Sequence, residues 1–217
     1  MLQKPSGCSA CPLRDKGKGF VPDQLAPNAD YIMFGEAPGG TEVETGKPFQ
    51  GRAGFVLKNW LIKSVPMLQL ASERNKISYC NVLRCLPPEI QGRAYPKGEE
   101  KLQAEACCSQ YLDMGNAHTV ILFGESPQRR FFGPELAAED ADDKRLGHDL
   151  KGVGGRIGRV IERDGKRFVF APHPAWILRQ PALVTHGQMA LRIAVGAERM
   201  LEPEYVPWDR AIRELTP

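Results

Sequence analysis

The stretch Tyr31-Ile32-Met33-Phe34-Gly35-Glu36-Ala37-Pro38-Gly39-Gly40 decides the fold of this chain. Its first four residues are apolar, and glycine and proline follow at once, which predicts a short buried strand that ends in a turn. The carboxylate Glu36 lies just after the apolar run. Polar groups that follow a buried strand are typical of the sheet edge at which open α/β proteins bind ligands.

Strands and helices alternate along the rest of the chain. Further strands are predicted at 77–83, at 119–123 and as a hairpin within 159–170, with the turn dipeptide Asp164-Gly165. Apolar residues at helical spacing predict helices over 55–65, about 98–114 and about 186–201. The alternation indicates parallel strands that are covered by helices on both faces. We therefore expect an α/β protein, a three-layer α/β/α sandwich with a central, mostly parallel four-stranded sheet.

Length and composition indicate one globular domain. The 217 residues are 42% hydrophobic and 25% charged, which excludes a fibrous or wholly disordered chain. We expect a single domain over 1–217, with an N-terminal segment over 1–28 and an insertion or surface loop over about 133–158. Lys and Arg number 29 against 26 Asp and Glu, a balance that permits a nucleic-acid partner without requiring one. We find no apolar run long enough to span a membrane and no signal-peptide core, so we expect a cytoplasmic protein with no membrane partner.

The six cysteines need an explanation other than disulfides in a reducing compartment. Cys8 and Cys11 form a C-x2-C pair, while Cys85 and Cys108 lie far downstream. One close pair plus two dispersed thiolates fits a [4Fe–4S] cluster better than a zinc ribbon, although spacing alone does not choose between them. Cys80 lies within an apolar strand and is expected to fill the core. Cys107 competes with Cys108 for one ligand position.

Six sequence blocks, taken together and in order, resemble family 4 of the uracil-DNA glycosylase superfamily, whose members carry an iron–sulfur cluster. The blocks are 8–13, Gly35–Gly39, Gly46–Gly54, Asn81–Pro88, Cys108–Leu112 and His173–Arg179. The resemblance implies an enzyme that flips uracil out of DNA and hydrolyses its N-glycosidic bond, leaving an abasic site. It also implies a [4Fe–4S] cluster on Cys8, Cys11, Cys85 and Cys108, because the family's fourth ligand aligns with Cys108 rather than with Cys107.

The same resemblance assigns a uracil pocket. Phe49 occupies the position whose ring stacks on the flipped base. Asn81 occupies the position that reads uracil, since its amide accepts from N3–H and donates to O4, a pattern that cytosine inverts. Glu42 aligns with the side chain that excludes the methyl group of thymine. Ala37 and Gly39 belong to the block that contacts the substrate.

Catalytic roles also follow from the resemblance, for Glu36, Asn81 and His173. His173 matches the residue that hydrogen-bonds uracil O2 and stabilises the departing anion. Glu36 is the best side-chain candidate to position or polarise the attacking water. Better-known members of the superfamily have an aspartate where this chain has Ala37, a substitution that is normal in family 4.

Two segments are expected to contact DNA. Gly51–Gly54 opens a helix, so its N–H groups and Arg52 could bind a phosphate, and Gly54 belongs to this element. A helix start made of small residues is the equally weighted alternative. Trp176 and Arg179 follow His173 where the superfamily inserts a wedge into the duplex, with Trp176 alternatively a core residue.

Two other function classes compete with the glycosylase. A non-catalytic, iron–sulfur DNA-binding relative would keep the fold and the pocket without turnover. An electron carrier is disfavoured because its ligands would normally cluster in one short run. We expect a monomer that acts on single- or double-stranded DNA containing uracil. We expect no covalent trapping on DNA, because 86–107 lacks the histidine that one branch of the superfamily uses for it.

Overall fold

The computed structural model describes residues 4–90, 93–94, 98–109, 114–145 and 156–196 of the chain. The strands are β1 (Lys18–Phe20), β2 (Tyr31–Gly35), β3 (Ile77–Asn81), β4 (Cys85–Leu86), β5 (Glu89–Ile90), β6 (Arg93–Ala94), β7 (Thr119–Phe123), β8 (Val160–Arg163) and β9 (Lys166–Ala171). The α-helices are α1 (Leu13–Lys16), α2 (Gly40–Thr45), α3 (Arg52–Val56), α4 (Pro66–Glu73), α5 (Gly98–Ser109), α6 (Glu125–Arg145), α7 (Pro174–Arg179) and α8 (Val184–Ala194). Single 3-10 turns lie at Ser6–Ala10, Ile62–Ser64 and Pro181–Leu183, and a π turn at Leu57–Leu61.

The central sheet has the strand order β3-β2-β7-β9-β8. Strands β3, β2, β7 and β9 are parallel, and β8 pairs antiparallel with β9 at the edge. The α/β class and the mostly parallel sheet are therefore confirmed. The expected number of four strands is wrong, because the described part of the sheet has five. The turn at Asp164 and Gly165, both with positive φ (51° and 70°), folds β8 back onto β9. Both strands of the predicted hairpin therefore belong to the central sheet.

Helices cover both faces of the sheet. On one face, sheet residues such as Met33, Ile121 and Val169 pack with Leu57, Leu61 and the buried side of α8. On the other face, Phe34, Leu122 and Phe170 pack against Phe132 and Leu136 of α6. Every residue of the central strand β7 is buried, and so is every residue of β3 at the edge of the sheet, as expected where helices cover both faces.

The segment predicted as a loop over about 133–158 begins as helix. Helix α6 continues to Arg145 across a kink at Phe132, whose φ of −133° is not helical. Pro134 lies in the first turn after this kink, where a missing N–H costs little. The following Glu, Leu and Ala residues favour helix, and Leu136 is fully buried. The loop prediction is therefore wrong for 133–145, and 146–155 lies outside the described residues.

Helix bounds elsewhere shift by a few residues. The predicted helix at 55–65 starts at Arg52 and changes into the π turn, which leaves Trp60 40% exposed. The final described helix ends at Ala194, and 197–201 of its predicted range lies outside the described residues. No helix of the described part is long and apolar enough to cross a membrane.

Candidate active site

The polar residues predicted from the sequence lie along the carboxyl edge of the sheet. Asn81 ends β3 and stands opposite Gly35, the last residue of β2. His173 comes two residues after Ala171, which pairs with Phe123 at the end of β7. Adjacent strands lie about 4.8 Å apart, so β3 and β9 are separated by about 14 Å. An amide and an imidazole that extend into this gap leave room for a flat ring between them.

Gly35 brings Asn81 and Phe49 together. A Cβ atom at this position would lie 2.5 Å from Asn81 Oδ1 and 2.8 Å from Phe49 Cζ. The amide oxygen and the aromatic ring therefore lie side by side over the glycine. Both side chains are buried, with 5% and 6% exposure. Asn81 and Phe49, both predicted to bind uracil, thus share one small volume at the sheet edge.

Phe49 is held in a strained backbone conformation. Its φ is +54°, which is rare for a bulky residue and is typically found at functional sites. The ring contacts Tyr79 and Phe123, with centroid distances of 5.9 and 6.3 Å. Gly54 packs directly on the Phe49 carbonyl, since a Cβ there would lie 2.0 Å from that oxygen. Gly54 therefore shapes the aromatic position, and its contact with DNA stays a prediction.

Glu42 joins the two loops that carry the pocket. Its Oε1 accepts from the backbone N–H groups of Gln50 (2.8 Å) and Gly51 (2.7 Å), and its Oε2 accepts from that of Gly39 (3.0 Å). The carboxylate is 8% exposed. These bonds fix the two residues directly after Phe49 to α2 and to the turn after β2. The predicted exclusion of thymine by Glu42 is not tested by this geometry.

His173 has a defined tautomer. It is the N-cap of α7, and its Nδ1 accepts from the backbone N–H of Ala175 at 3.1 Å. In the neutral ring the proton is therefore on Nε2, which is then a donor. Burial lowers the pKa of His173, a shift that the nearby Glu36 opposes and Arg179 reinforces. Gly124 leaves room for the imidazole, because a Cβ there would lie 3.0 Å from His173 Cβ.

Glu36 lies at the rim of a polar cavity beside the sheet edge. Its Oε1 accepts from Lys101 Nζ at 2.7 Å, and the carboxylate is half exposed. Lys101 Nζ is also 4.0 Å from Glu105, whose pKa is raised by burial and which accepts from Ser126 Oγ. These groups line a cavity of about 450 Å³. Sequence reasoning missed Lys101 and Glu105, and their i,i+4 spacing on α5 was the available signal.

Comparison with known proteins decides the family. The model of the uracil DNA glycosylase superfamily matches residues 22–193. A type-4 uracil-DNA glycosylase of Pyrobaculum aerophilum is 32% identical over 203 residues, which cover 90% of this chain and 93% of that protein. This chain belongs to the uracil-DNA glycosylase superfamily. The resemblance to family 4 that the sequence blocks predict is confirmed by this type-4 relative.

Two further relatives carry the same description. The type-4 uracil-DNA glycosylase of Thermotoga maritima is 27% identical, with 79% of this chain and 78% of that protein covered. That of Archaeoglobus fulgidus is 26% identical and covers 84% of each chain. The matches span nearly the whole superfamily fold, so the likeness is not limited to the sheet edge.

Three thiols of this superfamily member lie in one buried cluster, and a fourth lies near them. Cys8, Cys11 and Cys85 pack with Leu13, Leu83 and Ala104, and the partly buried Cys107 packs against this cluster. Cys108 is also buried, and it lies close enough to Cys11 and Cys85 for their charges to raise its pKa. Burial raises the pKa of Cys85 and of Cys108 to about 11, so these thiols keep their protons until a metal displaces them. Ala37 packs against the same cluster, which links the turn after β2 to the thiols.

The donor set fits an iron–sulfur cluster. Four buried thiols form a soft ligand set of the kind that such clusters use. The described residues contain no three His, Cys, Asp or Glu side chains grouped around a single metal ion. A four-iron cluster spaces its thiolates more widely, since each binds a different iron. Cys107 is half-buried and hydrogen-bonds Cys11, while Cys80 packs with Phe34 and Leu122 in the core, as predicted.

Arg84 ties the thiol cluster to the rest of the fold. Its buried guanidinium pairs with Asp23 and donates to the backbone carbonyl of Cys108. It therefore connects the N-terminal segment, the loop before β4 and the end of α5. Sequence reasoning did not assign it a role, although a charged residue between two apolar neighbours was a signal.

The residues expected to contact DNA lie on two adjacent helices. Arg52 opens α3 and Arg179 ends α7, and both are exposed. Helices α3 and α7 pack against each other. Trp176 is half-buried and packs on the core, as in the alternative considered from the sequence. The DNA contacts of Arg52, Trp176 and Arg179 stay predictions.

Proposed function

We propose that this protein is a DNA-repair glycosylase that releases uracil from DNA and leaves an abasic site. Membership of the uracil-DNA glycosylase superfamily supports this function, and so do the names of its type-4 relatives. The observation that carries it is the packing of the Asn81 amide and the Phe49 ring over Gly35, on the sheet edge that also carries His173.

Recognition of uracil follows from this arrangement. The flipped base stacks on the Phe49 ring, a contact that any base could make. Asn81 Oδ1 accepts from N3–H and its amide N–H donates to O4. Cytosine presents an acceptor at N3 and donors at N4, so it would leave both buried amide groups of Asn81 unsatisfied. Specificity against cytosine therefore rests on one side chain.

Cleavage needs stabilisation of charge on both products. The electron pair of the C1′–N1 bond passes to the base, and His173 Nε2–H donates to uracil O2, where the negative charge develops. A water oxygen forms the new bond to C1′, and Glu36 accepts its proton. Lys101 donates to Glu36 Oε1, which leaves the lone pairs of Oε2 for the water. The uracil anion takes a proton from solvent after release.

We also propose that Cys8, Cys11, Cys85 and Cys108 hold a [4Fe–4S] cluster. The burial of all four thiols supports this set, and so does the apolar packing of Cys8, Cys11 and Cys85. The cluster would supply an architectural link between the N-terminal segment and α5. Anaerobically purified protein should contain about four irons. Cys108→Ser should lose iron and the visible absorption of the cluster, whereas Cys107→Ser should keep both. Stoichiometric zinc without iron would contradict the proposal.

The partner and the setting follow from the same function. The partner is DNA containing uracil, bound with help from Arg52, Gly54, Trp176 and Arg179. A monomer in the cytoplasm and a single domain over 1–217 stay predictions, and so do the substrate contacts of Ala37, Gly39 and Glu42.

The experiment is uracil release from single-stranded and duplex oligonucleotides, with cytosine and thymine in the same position as comparisons. We expect release of uracil only, and loss of at least a hundredfold in kcat/KM with Asn81→Ala, about the cost of one unpaired buried group in a discriminating site. A protein that binds uracil-DNA but releases nothing would instead be the non-catalytic relative.

A further inference from the structure

Two large aromatic side chains lie in water beside the proposed pocket. Phe55 is 56% exposed and Trp60 is 40% exposed. Their rings meet edge to face, with centroids 6.5 Å apart. We call the exposed side of this segment, formed by Arg52, Phe55, Asn59, Trp60 and Lys63, the aromatic stripe. Grouped exposed aromatic residues on a folded protein typically mark a binding surface.

The charged residues of the sequence segment that carries the aromatic stripe all have one sign. Residues 46–72 contain four cationic residues and no Asp or Glu, although the whole chain is nearly balanced. The four are Lys47, Arg52, Lys58 and Lys63. Lys63 Nζ donates to Asn59 Oδ1 at 2.9 Å, and Asn59 Nδ2 donates to the Phe55 carbonyl at 3.2 Å. These bonds tie the Lys63 ammonium to the helical turn that carries Phe55, which suits a polyanionic partner.

The aromatic stripe is continuous with the pocket. Helix α3 begins three residues after Phe49, and Gly54 packs on the Phe49 carbonyl. The Phe55 N–H donates to the Gly51 carbonyl at 2.9 Å. Helix α3 also packs against α7, which His173 caps. A DNA strand that leaves the pocket on this side would reach the aromatic stripe next.

We propose that the aromatic stripe binds an unpaired DNA segment next to the target nucleotide. Bases stack on Phe55 and Trp60, and phosphates lie against Arg52 and Lys63. Stacking needs an open base face, which a duplex does not offer, so the stripe favours single-stranded DNA. The inference rests on the proposed function and extends it from the extruded base to the strand that carries it.

The test separates stacking from simple apolar contact. Fluorescence anisotropy would measure binding of a labelled, uracil-free single strand and of its duplex to the full chain. Phe55→Leu with Trp60→Leu keeps apolar side chains but removes the flat faces, whereas Phe55→Tyr with Trp60→Phe keeps the faces. We expect the leucine pair to weaken single-strand binding by about tenfold for each ring, while the Tyr/Phe pair binds as the unmodified protein does. Leu70→Ser, at a comparably exposed position on α4, is the matched control.

A second variant tests the phosphate contact. Lys63→Gln should reduce the slope of log Kd against log salt concentration by about one. Both measurements use variants at exposed positions, and thermal unfolding with iron content verifies that each is folded. The single variants Phe55→Leu and Trp60→Leu replace the pair if it does not fold.

Several results would overturn the proposal. One is a leucine pair that binds single strands as tightly as the unmodified protein. Another is a loss that falls equally on the duplex. A dimer in solution that persists in the leucine pair would assign the surface to a second copy of this chain. Binding to anionic phospholipid vesicles, with no binding to oligonucleotides, would assign it to a membrane. Release of uracil is a separate readout. If single strands bind as expected and no uracil is released, the proposed function is wrong and DNA binding by the aromatic stripe is retained. If uracil is released and the stripe does not affect single-strand binding, only the proposal for the stripe is wrong.

Discussion

Gly35 determines how closely the Asn81 amide, proposed to read the base, and the Phe49 ring, proposed to stack on it, approach each other. The two side chains occupy the space in which a Cβ atom would lie, at 2.5 Å from Asn81 Oδ1 and 2.8 Å from Phe49 Cζ. Gly124 has a similar role beside His173, and its φ of +81° also favours glycine. The proposed pocket therefore depends on the lack of a side chain at Gly35 and Gly124 as much as on its polar side chains.

Gly35→Ala should impair uracil release without unfolding the protein. The added methyl group displaces the amide or the ring, and a misplacement of about 1 Å can reduce turnover by about a hundredfold. The measurement is kcat/KM for uracil release together with the thermal midpoint. Gly40→Ala is the control, because a Cβ there meets no atom within 4 Å. Full activity in Gly35→Ala would contradict the described packing of the pocket.

His173 should make stability depend on pH. Burial lowers its pKa in the folded state, so below about 6.5 the unfolded chain binds a proton more readily than the folded one. The free energy of unfolding should therefore fall as pH drops from about 6.5 towards the lowered pKa, with a slope from this group of at most about 1.4 kcal/mol per pH unit.

His173→Gln should remove this dependence, since the glutamine does not titrate. Denaturant unfolding of the two proteins between pH 7.5 and pH 5, as a rough range around the histidine pKa, gives the difference. His118→Gln, at an exposed position, is the control. An unchanged slope in His173→Gln would show that the histidine is not held neutral in the folded protein.

At the scale of elements, α2 and the loop that follows it act as one unit through Glu42. A single carboxylate accepts three backbone hydrogen bonds from the turn before α2 and from the residues after Phe49. Since Phe49 has a strained φ, its conformation needs support from the residues around it, and Glu42 holds the two that follow it. The geometry adds a positioning role to the exclusion of thymine that the family resemblance implies.

Glu42→Gln should destabilise the protein by about 1–3 kcal/mol, because the glutamine NH2 would face the Gly39 N–H and leave a buried donor unpaired. We expect slower uracil release in the same variant. Glu44→Gln, on the same helix but exposed, should change neither property. Thymine release by Glu42→Ala, but not by Glu42→Gln, would indicate steric exclusion. Unchanged stability in Glu42→Gln would contradict the positioning role.

At the scale of the whole molecule, a few contacts join the sheet to the thiol cluster. Arg84 is the main polar one, since it binds both Asp23 and the carbonyl of Cys108. Arg84→Gln leaves the buried Asp23 without its cation, a change that typically costs about 3–5 kcal/mol. We expect a lower thermal midpoint and a lower iron content, with Arg74→Gln as an exposed control. If Arg84→Gln keeps both its thermal midpoint and its iron content, the thiol cluster is held to the fold by apolar packing alone.

Strong local signals made most of the fold predictable. Buried strands such as Tyr31–Gly35 and Thr119–Phe123 are short apolar runs bounded by glycine, so their places and parallel order followed from the sequence. The part of α6 beyond Phe132 was missed because Gly133 and Pro134 suggest a break, while the buried Leu136 that stabilises the helix is a tertiary contact. Strand β8 joins the sheet by pairing with its hairpin partner β9, so its place follows from the hairpin motif once β9 lies in the sheet.

For the candidate site, residue types were predictable but their contacts were not. Motif order suggested Phe49, Asn81 and His173, and parallel topology explains why they share an edge. The ion pair of Glu36 with Lys101 joins residues 65 positions apart, and the bonds of Glu42 go to backbone atoms, so neither leaves a pattern in the sequence. Trp60 lies in the π turn and is 40% exposed, although helical spacing of the apolar residues in 55–65 does not indicate an exposed position.

The most direct measurement is a crystal structure of the protein with the free uracil product bound. The account predicts the pyrimidine ring flat against Phe49, with N3 and O4 hydrogen-bonded to the Asn81 amide and O2 bonded to His173 Nε2. Uracil bound elsewhere, or bound in this place with its O2 turned away from His173, would contradict it.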